Sequence, residues 1–419
     1  MSRSALIAFA LLAALATPAT SRNSGAAGML EAVMPQPADS FADAVGVNTH
    51  FGYQGSSYIT AWPKVSSALL KSGFRHIRDG APSQDSTYIE RLRYLGEHGI
   101  KHSVGFEVGD TPSVIRGTLG DFRPYVDAVE PNNEYDEAAR KDPDWVQHVT
   151  SEQRTLYAIV HGQRDFDGVT VLGPSLAHTA LFAQLGDLDA YEDAGNVHSY
   201  ICRRDPQSTQ VARTLAIAHA STRLKPIWTT ETGYGDDPKR NCWLPDDVIA
   251  KYDPRVVAED FNAGQPRVYF YQFVDTPGDP GFGATGLLKA NGEAKPQYTA
   301  LVSLISLLSD PGPIFELKAL RYAVESPVPD VDHLLLEKRG GIYELLLWQE
   351  VGSYRDTPTG GARIPIAPVS VNISIIGAHG IKYYTYDSTW SFISATIDQG
   401  TADSVRLPVT DSISVLEIH

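Results

Sequence analysis

Between residues 39 and 308 the chain alternates two hydrophobic rhythms. Short apolar runs read as strands: AVGVN (44–48), FRHIR (74–78), KHSVGF (101–106), YVDAVE (125–130), VTVLGP (169–174), GNVHSY (195–200), KPIWTTE (225–231) and RVYFYQFVD (267–275). Stretches with apolar residues at helical spacing separate most of them, such as STYIERLRYLGEHG (86–99) and PDWVQHVTSEQRTLYAIVHG (143–162), with a further helix expected between the fifth and sixth strands. The helix at 247–264 contains Pro254, which predicts a break there. Eight strand-like runs alternating with helical ones over about 265 residues predict a parallel sheet. The repeat number and length suit a closed (β/α)₈ TIM barrel better than an open doubly wound sheet. No G-x-G-x-x-G follows the first strand and no P-loop lysine is present, so a nucleotide-binding sheet is poorly supported.

SDPGP (309–313) ends this rhythm, and the period drops to two. HLLLEKRGGIYELLLW (333–348) reads as a hairpin turning at Gly340-Gly341, and PVSVNISI (368–375) places Val369, Val371, Ile373 and Ile375 on one face. Together with IKYYTYD, SVRLPV and SISVLEI these make residues 314–419 an antiparallel β-sandwich. Upstream, Arg3 followed by ALIAFALLAALA (5–16) and the small residues of TPATS (17–21) reads as a signal peptide over 1–21, with an uncleaved anchor as the alternative. Residues 22–38 are small and polar and read as a flexible leader to the barrel at 39–308. No other stretch is long and apolar enough to span a bilayer, so the mature chain is expected to have no membrane span.

A formal charge of −15 argues against nucleic acid or an anionic membrane as a partner. The expectation is a monomer that is secreted or periplasmic. The only two cysteines, Cys202 and Cys242, follow strands six and seven in neighbouring loops, which suits one disulfide in an oxidising compartment; two free thiols is the alternative. No His/Cys/Asp cluster has metal-ligand spacing and H-E-x-x-H is absent, so no metal and no cofactor are expected.

In a barrel of this kind chemistry gathers at the C-terminal ends of the strands. There the sequence places Asn48 and His50, Arg78 and Asp79, Glu130, Asn133 and Glu134, His198 and Tyr200, Glu231, and Gln272 and Asp275. Glu134 and Glu231 follow strands four and seven, across the mouth from each other. Two facing carboxyls are what glycoside hydrolysis requires: one protonated to donate to the leaving oxygen, one ionised to attack the anomeric carbon or activate water. Proximity pushes their pKa values apart.

NNE (132–134), HSY (198–200) and TTETG (229–233) after strands four, six and seven resemble the glycoside hydrolases of clan A, retaining (β/α)₈ enzymes, and the attached sandwich resembles family 39 in particular. The resemblance spans roughly residues 40–305. It implies a carbohydrate substrate, Glu134 as general acid/base and Glu231 as nucleophile. It further implies that Asn133 binds the sugar 2-hydroxyl, that Tyr200 and Arg78 support Glu231, and that His198 lines the subsite. Strand eight departs from the clan: where many members carry a tryptophan as the sugar floor, this chain reads YFYQFVD, leaving Tyr271, Gln272 or Phe273 for the part. Trp243, in the loop after strand seven, is the candidate sugar platform.

Duller readings stand beside these. Glu134 can be a solvated loop carboxylate, with Glu130 as its competitor, and Glu231 can cap a helix. Arg78-Asp79 can be a structural ion pair, His50 and His198 supporting histidines, and Trp243 a packing residue. Lys239, Arg240, Arg203 and Arg204 near the mouth would favour an acidic sugar if they are more than solvated surface. Competing functions are a non-catalytic carbohydrate-binding barrel and a transglycosylase using the same residues.

Overall fold

All eight apolar runs form strands of one parallel sheet in the computed structural model, which describes residues 30–419 apart from 83–84, 240–241, 280, 356–360, 397 and 402–403. The strands are Val45–Asn48, His76–Gly80, Lys101–Phe106, Val126–Pro131, Thr170–Val171, Gly195–His198, Ile227–Thr232 and Val268–Phe270, numbered one to eight below. Their hydrogen-bonded order is 5-4-3-2-1-8-7-6. Strands five and six meet where Leu172 bridges Ala194, with Gly173 N donating to Ala194 O at 2.8 Å. The sheet therefore closes on itself through this bridge. Strands one and seven are buried at every position, as expected for parallel strands with side chains inside the barrel and helices outside.

Local signals set the helix starts. Asp85 accepts from Thr87 N at 2.9 Å at the head of Ser86–Glu97. Thr111 accepts from Val114 N at 3.3 Å before Pro112–Phe122, whose first residue is the proline that favours this position. Two expectations need correction. The helix expected between strands five and six is reduced to single turns, the longest being Phe182–Leu185, which ends at Gly186 with φ of +72°. The helix Asp246–Asn262 is not broken at Pro254. An internal proline costs about 3 kcal/mol, but every residue from Tyr252 to Phe261 is buried, and packing on all sides outweighs the lost hydrogen bond.

Beyond residue 313 the chain builds two packed sheets. One runs Glu31–Val33, Leu320–Glu325, Val369–Ile375, Ser404–Val409, Asp398–Thr401. The other runs Phe392–Ala395, Ile381–Tyr386, Ser414–Ile418, Ile342–Gln349, Val331–Lys338, Gln36–Pro37. The hairpin turns at Arg339-Gly340-Gly341, where both glycines have positive φ and Lys338 pairs with Ile342. The two N-terminal strands overturn the flexible-leader reading for residues 30–38: they add an edge to each sheet of the sandwich before the helix Ala38–Ala44 enters the barrel. An edge strand is recruited through backbone hydrogen bonds, so three residues with no apolar alternation can join. Residues 1–21, read from the sequence as a signal peptide, and residues 22–29 lie outside the described residues. Among the described residues no helix is long and apolar enough to cross a membrane.

The strand Ile342–Gln349 shows how the two parts dock. Leu345 and Leu347 point into the sandwich core, while Leu346 and Trp348 point into the core shared with the barrel. Trp348 is fully buried, and its indole donates to Glu259 Oε1 of Asp246–Asn262 at 2.8 Å. Arg255, also fully buried, donates to Val351 O at 3.0 Å and to Pro206 O at 2.9 Å. Trp348→Ala removes a large side chain from this seam and is expected to cost about 3–5 kcal/mol in urea denaturation. A loss below about 1 kcal/mol, the net value of one hydrogen bond, would mean that the seam does not hold the parts together.

Candidate active site

Arg78, in strand two, lies at the centre of the barrel mouth and is 7% exposed. Its Nε donates to Glu130 Oε1. One terminal nitrogen donates to both Glu231 Oε1 at 2.6 Å and Asn48 Oδ1 at 2.7 Å. The other donates to Asn133 Oδ1 at 2.7 Å. Strands one, two, four and seven and the loop after strand four thus converge on one guanidinium. Burial disfavours its charge, yet Glu130 and Glu231 together hold its pKa above the ordinary arginine value.

Glu130 is 1% exposed and committed to the interior. Its second oxygen accepts from Asn196 Nδ2 at 2.6 Å, and Asn196 Oδ1 accepts the Thr230 hydroxyl. It is a structural counter-ion, not a rival of Glu134.

Glu231 is 6% exposed near the end of strand seven. Arg78 holds one oxygen and the Tyr200 hydroxyl donates to the other at 2.8 Å; His198 Nδ1 stands 3.6 Å from that second oxygen. Burial pushes its pKa up, but His198, Arg78 and the Tyr200 hydrogen bond outweigh burial and hold the carboxyl below its ordinary value. This carboxylate is kept ionised.

Glu134 sits on the loop after strand four, half-buried, with Oε1 2.6 Å from His198 Nδ1. Its backbone is left-handed at φ +49°, as is Asn132 at +45°. Left-handed backbone costs energy for residues other than glycine and persists where surrounding contacts impose it. The contacts are visible. Asn132 N donates to Phe106 O at 2.8 Å, and buried Asp136 accepts from Ala177 N and His178 N, each at 2.9 Å, tying this loop to the one after strand five. The stretch VEPNNEYD is therefore a braced turn that presents Asn133 and Glu134 to the mouth.

An aromatic wall completes the site. His50 stacks on Tyr53 (ring centroids 4.4 Å) and meets Tyr271 edge-on at 5.2 Å. Tyr271 meets Phe282 at 5.5 Å, and Phe282 meets Tyr200 at 5.4 Å. Burial depresses the His50 pKa to about 4, so this ring is neutral near pH 7. Of the strand-eight candidates for the sugar floor, Gln272 and Phe273 are fully buried and only Tyr271 is partly exposed. Tyr53 and Phe282, 54% and 40% exposed, were not singled out by the sequence, because both stand in loops without periodicity.

The structure does not join Trp243 to this wall. Its ring packs edge-on against Tyr354 of the C-terminal part at 5.5 Å, and its indole donates to Asp236 O at 2.9 Å, so it is a packing residue. Cys202 and Cys242 form a disulfide that ties the loop after strand six to the loop after strand seven. Of the basic residues near the mouth, Arg204 turns back to Ile201 O at 3.3 Å, and Arg240 lies outside the described residues. Ligand atoms of Glu134, His198 and Glu231 all lie within 4.8 Å of one another, a spacing that three ligands of one cation also show. Here, however, Arg78 and Tyr200 already occupy both oxygens of Glu231, so the carboxylate has its positive partner.

No protein-family model and no curated protein sequence matches the chain. Solved structures do. A family 39 glycoside hydrolase from the gut symbiont Bacteroides cellulosilyticus WH2 superposes with a TM-score of 0.60 at 15% identity, covering 92% of this chain and 83% of that one. A GH39 β-xylosidase from Caulobacter crescentus gives 0.57 at 14% identity over 93% and 98%. A GH51 arabinofuranosidase from Xanthomonas axonopodis pv. citri gives 0.58 at 12% identity over 94% and 99%. At these identities the likeness is one of fold: this chain has the barrel-plus-sandwich architecture of family 39 and family 51 glycoside hydrolases.

Proposed function

We propose that the chain is an exported retaining glycoside hydrolase. The observation that carries this reading is the pair Glu134 and Glu231, whose nearest oxygens lie within 4.8 Å across the barrel mouth. Retaining enzymes place their two carboxyls about 5–5.5 Å apart and inverting ones about 6.5–9.5 Å, the extra room being for a water. Export is supported by the N-terminal signal-like segment and by the disulfide.

In the first step Glu134, protonated, donates to the glycosidic oxygen while Glu231 Oε attacks the anomeric carbon. The C–O bond to the leaving group breaks, and a glycosyl ester forms on Glu231. In the second step Glu134, now a carboxylate, takes a proton from water as that water attacks the anomeric carbon. Glu231 leaves, and the sugar departs with its original anomeric configuration. Asn133 Oδ1 accepts from Arg78, which turns the amide Nδ2 toward the sugar 2-hydroxyl as a donor in this reading. Tyr271, Phe282 and Tyr53 offer apolar faces to the ring. The β-xylosidase and arabinofuranosidase among the similar structures make pentosides the first substrates to try.

Incubation with activated 2-deoxy-2-fluoro xylosides, arabinofuranosides and glucosides, read by intact mass and peptide mapping, is expected to place one sugar on Glu231. An adduct on a different residue would refute the assignment of roles. Glu134→Gln removes the acid/base and is expected to lower kcat by about 10²–10⁴-fold, with less loss on substrates whose leaving group needs no protonation. Equal loss on all leaving groups would argue against the role.

The support of Glu231 predicts a pH effect of definite sign. The nucleophile must be ionised, and its pKa is held low, so activity falls only as pH drops through that low value. Tyr200→Phe removes a hydrogen bond that favours the ionised form, so the acid limb of kcat/KM against pH should move to higher pH. An acid limb that stays in place would show that Tyr200 does not set the charge of Glu231.

A further inference from the structure

Away from the barrel mouth, three carboxylates meet at the seam between the barrel and the sandwich. Strand alternation brings two of them there. Asp332 lies directly across from Trp348 in the hairpin register, and Glu350 follows Trp348 by two residues, so all three share the side that faces the barrel. From the barrel, the helix Asp246–Asn262 contributes Glu259, one turn after Arg255. A ligand oxygen from each of Glu259, Asp332 and Glu350 lies within 4.8 Å of the other two.

Among the described residues, one buried oxygen of Glu259 has no donor. Glu259 is 1% exposed; its Oε1 accepts the Trp348 indole at 2.8 Å, but its Oε2 is buried with no hydrogen-bond donor among the described residues. Glu350 accepts from Ser208 N, and Asp332 Oδ1 accepts from His333 N at 2.7 Å. The nearby cation of the same helix, Arg255, spends its terminal nitrogens on the carbonyls of Val351 and Pro206 and stands 4.0 Å from Asp205. A buried carboxylate oxygen without a donor costs several kcal/mol unless a cation or a proton answers it. Burial raises the Glu259 pKa, and the charges of Asp332 and Glu350 raise it further.

We infer that Glu259, Asp332 and Glu350 form a structural Ca²⁺ site that clamps the barrel to the sandwich. The ligand set is all oxygen and carries three negative charges, the chemistry of a hard divalent cation; bidentate carboxylates and waters supply the six to eight contacts Ca²⁺ prefers, where Mg²⁺ would demand a stricter octahedron. The cation would hold three separated segments at once: the barrel helix, the strand Val331–Lys338, and the residue after Ile342–Gln349. This site is separate from the proposed catalytic pair, and its test does not read activity, so its failure would leave the glycosidase reading standing.

The test uses the purified full-length protein stripped with EDTA. Titration with CaCl₂ is expected to show one site per chain by calorimetry and to raise the melting temperature by several degrees, because a ligand that binds only the folded state stabilises it. Tb³⁺, an oxygen-seeking substitute for Ca²⁺, should luminesce on excitation of tryptophan, with Trp348 beside the site, and Ca²⁺ should quench the signal by displacement. Glu259→Gln and Asp332→Asn should each abolish the Ca²⁺-dependent shift and the Tb³⁺ signal; the second variant serves if the first does not fold. No heat and no shift in the wild-type protein would overturn the site. So would a Ca²⁺ response that survives both substitutions, which would point to Glu134, His198 and Glu231. A Glu259→Gln protein that melts higher without Ca²⁺ while the wild type ignores the ion would mean that a proton answers the buried oxygen, and would overturn the proposal too.

Discussion

One buried guanidinium organises the barrel mouth. Arg78 bonds to Glu130, Glu231, Asn48 and Asn133, residues drawn from strands one, four and seven and from the loop after strand four. Removing it would take the shared counter-charge from two buried carboxylates, Glu130 and Glu231, and breaking a buried ion pair typically costs about 3–5 kcal/mol. The planar fork of arginine, with five donors in fixed directions, suits this position; a lysine would supply one point charge and could not serve four acceptors at set angles. The catalytic proposal draws on the same group, since Arg78, together with His198 and the Tyr200 hydroxyl, offsets the burial of Glu231 and holds it ionised.

The two proposed catalytic carboxyls differ because their supports differ. Glu231 stands on a strand, enclosed, with both oxygens held. Glu134 stands on a braced loop, more exposed, with one oxygen against the His198 ring. His198 Nδ1 is 2.6 Å from Glu134 and 3.6 Å from Glu231. The ring therefore stands between the two carboxylates, in hydrogen-bond contact with Glu134 and a little farther from Glu231. In the proposed roles, the lightly held carboxyl is the one that exchanges a proton and the firmly held one is the nucleophile.

The strands were legible because parallel barrel strands are buried on both faces and appear as short apolar runs. From Val45–Asn48 to Val268–Phe270 the runs lie where the pattern puts them, and the spacing of NNE, HSY and TTETG placed their polar residues at the same end. Less visible was whatever depends on contact across the chain. Pro254 reads as a helix breaker, and only burial from both sides overrides it. Glu31–Val33 and Gln36–Pro37 carry no period-two signal, since an edge strand needs a backbone partner more than a pattern. Trp243 was placed by loop position alone, and its partner Tyr354 lies over a hundred residues away in the other part of the molecule. Tyr53 and Phe282 escaped for the converse reason, being loop aromatics whose neighbours come only with the fold.

That difference separates what the barrel fixes from what its loops decide. Arg78, Glu130, His198 and Glu231 lie on strands, where closure of the sheet sets their distances to fractions of an ångström. The aromatic wall is carried by the loops after strands one, six and eight, and the Cys202–Cys242 disulfide joins the loops after six and seven. The proposed hydrolysis needs two carboxyls whatever the sugar; Glu231 comes from strand seven and Glu134 from the braced turn after strand four, so that turn must hold its place as the strands do. Discrimination between sugars in any glycosidase rests on which hydroxyls meet a donor and which ring face meets an aromatic, and the aromatics of this mouth stand on loops. In the proposed glycosidase the reacting groups therefore trace to strand seven and the braced turn after strand four, while sugar preference would rest on Tyr53, Tyr271, Phe282 and the loops that hold them.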